Sequence, residues 1–176
     1  EILHKTDTMN LVARVAAAAH RYGARMVFVD AGGVGGGVVD RLRQLRVPVI
    51  AVDFGSAADG NTILDDRGTK YKNKRAEIWG AMRAWLVEGS IPEIVRGNEN
   101  SLLEELTAPS FTLTGSEEIQ LESKKDMRRR GVPSPNVADA LACTFAIPVF
   151  YQPRNEERPE QVNTDYDPFE RERLFQ

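Results

Sequence analysis

A short apolar run that ends in a carboxylate and continues into glycines decides the fold class. It reads Met26-Val-Phe-Val-Asp30-Ala-Gly-Gly-Val-Gly-Gly-Gly37. The β-branched and aromatic residues predict a buried strand, and the glycines predict a tight turn into a helix. In open α/β sheets, ligands lie just outside the carboxyl ends of the strands, where Asp30 is expected. Because desolvating a charge is costly, a carboxylate there has to be paired or hold a metal.

The glycine turn itself allows more than one interpretation. Its glycines leave room for a metal, a phosphate or a nucleic-acid backbone to approach closely. The turn lacks the Lys-Ser/Thr pair of a P-loop, and its spacing does not match G-x-G-x-x-G, so nucleotide binding is disfavoured. A purely structural turn remains the alternative. The residues predicted to allow close approach are Gly32, Gly33, Gly35, Gly36 and Gly37.

The flanking pattern alternates helices and strands, which predicts an α/β fold with parallel crossovers. Capping and stop signals place the first helix between Asp7 or Thr8 and Gly23, and the last helix between a Ser134 cap and about Phe145. The remaining predictions are strands at 26–29 and 48–52, helices at 37–45, 73–88 and around 102–106, a surface loop at 54–72, and a hairpin of 111–113 with 119–121.

Composition bounds the class of protein. The chain has 176 residues, 41% of them hydrophobic and 28% charged, as expected for one domain with a real core. It shows no signal peptide and no apolar run long enough to span a bilayer. Cys143 is the single cysteine, which rules out an internal disulfide and, with two distant histidines, argues against zinc.

The two ends of the chain carry expectations of their own. It begins at Glu1 rather than Met, so we expect a piece of a longer protein, with residues 1–4 as the end of a strand. Residues 151–176 contain four basic and seven acidic residues and few aliphatic ones, which predicts a disordered acidic tail after a domain spanning 1–150.

Asp139 is the second informative carboxylate. The apolar residues Val137, Leu141 and Phe145 form a stripe on the last helix, and Asp139 lies roughly opposite Val137 among alanines. One interpretation is a solvated acid on an amphipathic helix. The other is a metal ligand, since a carboxylate at a strand end and one on a late helix can together hold Mg²⁺ or Mn²⁺.

Two further groups have weaker signals. The basic cluster between 124 and 130 could contact phosphates or form a solvated face. Glu77 is predicted to have a local role at a helix N-terminus, and Trp79 and Trp85 to lie in the core. The basic residues are Lys124, Lys125, Arg128, Arg129 and Arg130.

Three blocks, in this order, carry a family resemblance. They are Val27–Leu42 around the glycine turn, Asn73-Lys-Arg-Ala-Glu-Ile-Trp79, and Ser134-Pro-Asn-Val-Ala-Asp139-Ala-Leu-Ala. Together they resemble the C-terminal nuclease domain of tailed-phage terminase large subunits, over about residues 5–146. The resemblance implies a ribonuclease H-like fold, a mixed sheet flanked by helices. It also implies an endonuclease that cuts concatemeric double-stranded DNA during genome packaging, using acidic residues and two Mg²⁺ or Mn²⁺ ions.

Carried over by position, Asp30 matches the family's acid at the end of the fourth strand, and Asp139 matches its acid on the final helix. The family's first acid lies on a first strand that would precede Glu1. We therefore expect the N-terminal strands and that acid to be missing, and the chain to be weakly active or inactive. Asn136 stands where some relatives have a histidine, so a histidine-assisted role is not implied.

The resemblance also implies partners and a location. These are double-stranded DNA, an N-terminal ATPase domain, a portal protein and a small terminase subunit, in the cytoplasm of a bacterial host and without a membrane. Two other hypotheses stay open. One is a non-catalytic module that docks on the packaging motor or portal. The other is a different ribonuclease H-like nuclease, such as a resolvase or transposase.

Overall fold

The computed structural model describes residue 3 and the ranges 5–60, 68–89 and 99–150. Within these ranges, no helix combines the length and the apolar character that crossing a membrane requires. The elements are α1 (Thr8–Arg21), β1 (Val27–Asp30), α2 (Gly35–Gln44), β2 (Val49–Val52), α3 (Lys74–Glu88), α4 (Glu99–Thr107), β3 (Phe111–Leu113), β4 (Ile119–Leu121), α5 (Lys124–Arg129) and α6 (Asn136–Cys143).

The parallel strands β1 and β2 have helices on both faces. They pair in register from Val27 with Val49 to Asp30 with Val52. Successive side chains of a strand point to opposite faces. Val27 and Val29 accordingly pack on the α1–α2 side, while Phe28 packs on the α3–α6 side. Asp30 has the same parity as Phe28, so its side chain is directed to the face that α6 covers.

Two apolar clusters make up the core. The smaller one joins Val12 of α1 to Val38 and Leu42 of α2 on one face of the parallel pair. The larger one covers the other face and is built from β2, α3 and α6. Its buried members are Val52, Ile78, Trp79, Met82, Ala138, Ala142, Cys143 and Ala146. The alanines of α6 let that helix lie close to the sheet.

The strands β3 and β4 form an antiparallel hairpin, as predicted, with Leu113 opposite Ile119. Tyr71 forms a parallel bridge to Ile119, so the end of the preceding loop joins this hairpin. Within the described ranges the strands form two separate two-stranded sheets. The single mixed sheet therefore stays a prediction.

Local capping signals set the ends of α1 and the start of α3. The Asp7 carboxylate accepts hydrogen bonds from the amides of Met9 and Asn10, as a helix cap does. Gly23 follows α1 with a φ of 59°, a left-handed conformation that suits glycine. The Asn73 side chain caps α3 by accepting from the amide of Ala76. These helix boundaries confirm the predicted ones to within a residue or two.

The predicted cap of the last helix is wrong. α6 begins at Asn136, and Pro135 occupies the cap position, with no hydrogen bond from its own side chain or that of Ser134. Instead the Glu105 carboxylate of α4 accepts from the amides of Val137 (2.6 Å) and Ala138 (2.9 Å). A residue from another helix thus satisfies the free N–H groups that every helix N-terminus presents.

Three predictions fall wholly or partly outside the described residues. They are the strand end at 1–4, the part of the surface loop at 61–67, and the acidic tail at 151–176.

Candidate metal centre

Asp30 ends β1, and one of its carboxylate oxygens is hydrogen-bonded within its own turn. Its Oδ1 accepts a hydrogen bond of 3.0 Å from the amide of Gly32. This is a short-range contact, of the kind in which an Asp side chain closes its own turn. The side chain is 41% exposed. A half-exposed carboxylate is able to bind a cation.

The glycines that follow Asp30 have three different physical roles. A Cβ on Gly35 would overlap the Asp30 carbonyl oxygen, and a Cβ on Gly32 would lie 3.1 Å from Asp30 Oδ1. Gly33 has a φ of 59°. A Cβ on Gly36 or Gly37 would meet nothing within 4 Å. The first three glycines therefore shape the turn around Asp30, and the last two leave open space at the start of α2.

Asp139 is buried, so the interpretation of a solvated acid is wrong. It is only 4% exposed. Its Oδ1 accepts two hydrogen bonds from α3, one from Trp79 Nε1 at 2.8 Å and one from Arg75 Nε at 3.1 Å. A buried carboxylate is stable only with such partners, because its lost hydration has to be replaced.

Lys124 of α5 brings the two carboxylates together. Its Nζ lies 2.9 Å from Asp139 Oδ2 and 3.9 Å from Asp30 Oδ2. The two Oδ2 atoms are therefore no farther apart than the sum of these distances. The ammonium also lies 5.3 Å from the centre of the Phe54 ring, a cation–π contact. Two acids from distant parts of the sequence thus pair with one ammonium group, that of Lys124.

The oxygen set fits a hard divalent cation. Each carboxylate gives Oδ1 to a donor of the protein and directs Oδ2 toward the common point. Among the described residues no group donates an aligned hydrogen bond to the buried Asp139 Oδ2, although Lys124 lies at ion-pair distance. An unsatisfied buried carboxylate oxygen is the kind of ligand that Mg²⁺ and Mn²⁺ prefer.

The number of acids at this point is small. The described ranges contain no group of three or more His, Cys, Asp or Glu side chains arranged to hold a metal. Asp7 caps α1, and Asp53 accepts from the amide of Gly55 in its own turn.

Cys143 lies in the core, and the negative charges of the two acids affect the pKa of its thiol. Burial and then the charges of Asp30 and Asp139, against the opposing effect of Lys124, together raise the pKa of its thiol from 9.0 to about 12. The thiol therefore stays protonated at neutral pH.

Sequence reasoning missed Arg75. It is 7% exposed in the first turn of α3 and donates both to Asp139 and, through Nη1 at 2.9 Å, to the carbonyl oxygen of Glu122. Charged residues at the start of a helix are usually solvated, so periodicity placed it outside the core. Its position within the Asn73–Trp79 block of the resemblance was the one signal that could have identified it.

Glu77 has more than the predicted local role. It is 1% exposed, and its carboxylate accepts from the amide of Gly60 at 2.7 Å and that of Asp59 at 3.3 Å. Lys74 Nζ lies 3.0 Å from it and 2.7 Å from the Asp59 carboxylate. The first turn of α3 therefore also holds the loop that follows β2.

The basic cluster divides into engaged and available side chains. Lys124 faces the two acids, Arg129 pairs with Asp126 at 2.8 Å, and Arg130 pairs with Glu122 at 2.7 Å. Lys125 and Arg128 are exposed, and within the described part of the chain neither has an ion pair. They lie three positions apart on α5, so their side chains are neighbours.

The fold is similar to solved viral nuclease domains. A mutant nuclease domain of the large terminase subunit of bacterial virus Sf6, solved with manganese and β-thujaplicinol, matches with a TM-score of 0.66 and 21% identity, over 84% of this chain and 75% of that one. A mutant solved with calcium matches at 0.66 and 22%, over 82% and 74%. The Sf6 nuclease domain itself matches at 0.65 and 22%, over 82% and 74%.

No protein-family model and no curated protein sequence matches the chain. The structural similarity confirms the family resemblance at the level of the fold.

Proposed function

We propose that this chain is the metal-dependent endonuclease domain of a phage terminase large subunit. One observation carries the proposal: Asp30 and Asp139 both direct a carboxylate oxygen, Oδ2, at the Lys124 ammonium. The fold supports it, since the similar Sf6 domains are nucleases solved with manganese or calcium. The substrate we propose is concatemeric double-stranded DNA.

Asp30 Oδ2 and Asp139 Oδ2 would hold Mg²⁺ or Mn²⁺. A pair of such ions, when bound, activates the attacking water and stabilises the leaving oxygen of a phosphodiester. Lys124 neutralises the same carboxylates, so its ammonium competes with a cation for them. Its 36% exposed side chain has room to withdraw toward solvent.

Lys125 and Arg128 would contact DNA phosphates without reading sequence, since contacts to the backbone position a duplex but do not specify it. The open space at Gly36 and Gly37, at the start of α2, would leave room for the backbone of the same substrate. Lys125 and Arg128 lie on α5, the helix that also holds Lys124.

We propose weak cleavage by this chain, because its described residues supply two acids where a two-metal centre uses more. The whole protein would also include an ATPase domain and would work with a portal protein and a small terminase subunit in the host cytoplasm. These partners follow from the proposed family.

A plasmid-nicking assay with Mn²⁺ tests the proposal, read together with Mn²⁺ binding followed by electron paramagnetic resonance. Asp30→Asn should lower both by at least about tenfold, since losing a ligand costs more than losing a partner of a ligand. Asp53→Asn is the matched control, because Asp53 follows the neighbouring strand and closes a similar turn. Robust cutting that survives Asp30→Asn contradicts the proposal.

A non-catalytic docking module on the packaging motor or portal is the second candidate. The observation that favours it is that Arg75 and Lys124 already balance the charge of Asp139, so the acid has a structural role without metal. This candidate predicts that Mn²⁺ leaves the melting temperature unchanged. The nuclease predicts a rise with Mn²⁺ concentration, because a ligand that binds only the folded state stabilises it.

A further inference from the structure

Asp139 is held by a pair of donors whose combined effect goes beyond neutralising a buried charge. Arg75 and Trp79 lie four positions apart on one face of α3, and both donate to the same oxygen, Oδ1. All three residues are buried. With Oδ1 occupied twice, Oδ2 is the only oxygen of this carboxylate that points to the common cation position.

We propose that Arg75 and Trp79 are positioning residues of the metal centre, which make Asp139 a ligand through Oδ2 alone and fix the plane of its carboxylate. The inference rests on the proposed metal-dependent function. Asp30 is constrained in the same sense, because the amide of Gly32 takes its Oδ1. Both acids therefore present a single oxygen.

The two donors are themselves held in place. Arg75 Nη1 donates to the carbonyl oxygen of Glu122, and the guanidinium carbon lies 5.8 Å from the centre of the Trp79 ring. The Trp79 ring belongs to the main core cluster. Hydrogen-bonded partners of this kind orient metal ligands, and their loss typically costs about 10–100-fold in metal affinity.

A substitution at Trp79 distinguishes a positioning role from simple neutralisation of the Asp139 charge. Arg75 and Lys124 supply the positive charge that a buried carboxylate needs, whereas the indole N–H adds only a direction. Trp79→Phe removes that donor and keeps the charges and most of the apolar volume. Trp85→Phe is the matched control, since Trp85 lies on the same helix, packs on Phe145 with ring centres 5.6 Å apart, and does not contact Asp139 in the structure.

The experiment is a Mn²⁺ titration by electron paramagnetic resonance, below the melting transition of every variant. We expect Trp79→Phe to raise the Mn²⁺ Kd about tenfold, and Trp85→Phe to leave it unchanged. Arg75→Lys, which keeps a charge but loses the forked donor, should also raise the Kd. If Trp79→Phe and Arg75→Lys both bind Mn²⁺ as the unaltered chain does, positioning is contradicted.

Failure of the underlying function would look different. In that case the unaltered chain would not bind Mn²⁺, or Asp30→Asn would bind it equally well. Either result overturns the proposed metal centre and the positioning role together, whereas equal binding by the α3 variants overturns only the positioning role.

Discussion

Asp30 and Asp139 face the same ammonium group, but the molecule holds them by different means. Asp30 is 41% exposed, and the contact that holds its carboxylate comes from Gly32, two residues away. The Asp139 side chain is 6% exposed, and its partners Arg75 and Trp79 lie 64 and 60 positions away. The Asp30 carboxylate is oriented by its own turn, whereas the Asp139 carboxylate is oriented by residues distant in sequence.

Because of this difference, replacing the two acids should lower the free energy of unfolding by different amounts. A surface carboxylate that closes its own turn keeps most of its hydration, so removing it changes stability little. A buried carboxylate has exchanged hydration for protein donors, and removing it leaves buried donors without a partner. The comparison therefore predicts unequal effects on folding from two acids with the same proposed chemistry.

The largest expected effect is that of Asp139→Ala, which leaves the buried Arg75 uncompensated. We expect the free energy of unfolding to fall by about 3–5 kcal/mol. Asp30→Ala should lower it by about 1 kcal/mol, the usual worth of one hydrogen bond. Urea denaturation at neutral pH measures both. Similar losses for the two variants would break the comparison.

A second prediction concerns the backbone that supports Asp30. The methyl group of Gly35→Ala would meet the Asp30 carbonyl oxygen, which is backbone and cannot move aside cheaply. We expect a loss of about 3 kcal/mol, the upper range for overpacking. Gly37→Ala adds the same methyl group two positions later in open space, and should be neutral or stabilising by about 0.5 kcal/mol. Equal thermal shifts for the two variants would show that the turn has room for a side chain.

The same contrast explains what could be predicted from the sequence. The strand, the glycine turn and the position of Asp30 depend on neighbouring residues, and all three were predicted. That Asp139 lies on a helix was also predicted, because the apolar stripe is local. Its burial was not, because periodicity identifies the apolar face of a helix without showing what covers the polar one.

The errors share a physical cause, which is competition from distant residues. The cap predicted at Ser134 is replaced by Glu105, 32 positions from Val137. Arg130 was predicted to be available for phosphate, but its Nε and Nη2 both donate to the carboxylate of Glu122, which precedes α5. Tertiary partners of this kind leave no trace in local spacing.

The smallest expected effect is a pH dependence of stability, which arises from Glu122, a residue that contacts Asp139's partner Arg75. Glu122 makes this contact through its carbonyl oxygen, which accepts from Arg75. Its carboxylate accepts from Arg130. The hydrogen bond from Arg130 and then that from the amide of Ser110 lower the pKa of Glu122 from 4.5 to about 2. Because the folded-state pKa is lowered, this carboxylate stabilises the protein fully above about pH 4.5 and loses its effect as the pH falls toward about 2.

Glu122→Gln isolates that contribution. The difference in melting temperature between the unaltered chain and this variant should be constant near neutral pH and shrink as the pH approaches 2. Glu104→Gln is the control, because its exposed side chain forms no ion pair within the described ranges. A difference that stays constant down to pH 2 would mean that the Glu122 carboxylate does not act through its charge. Glu122 would then contribute to the support of Asp139 only through its backbone carbonyl oxygen, which accepts from Arg75.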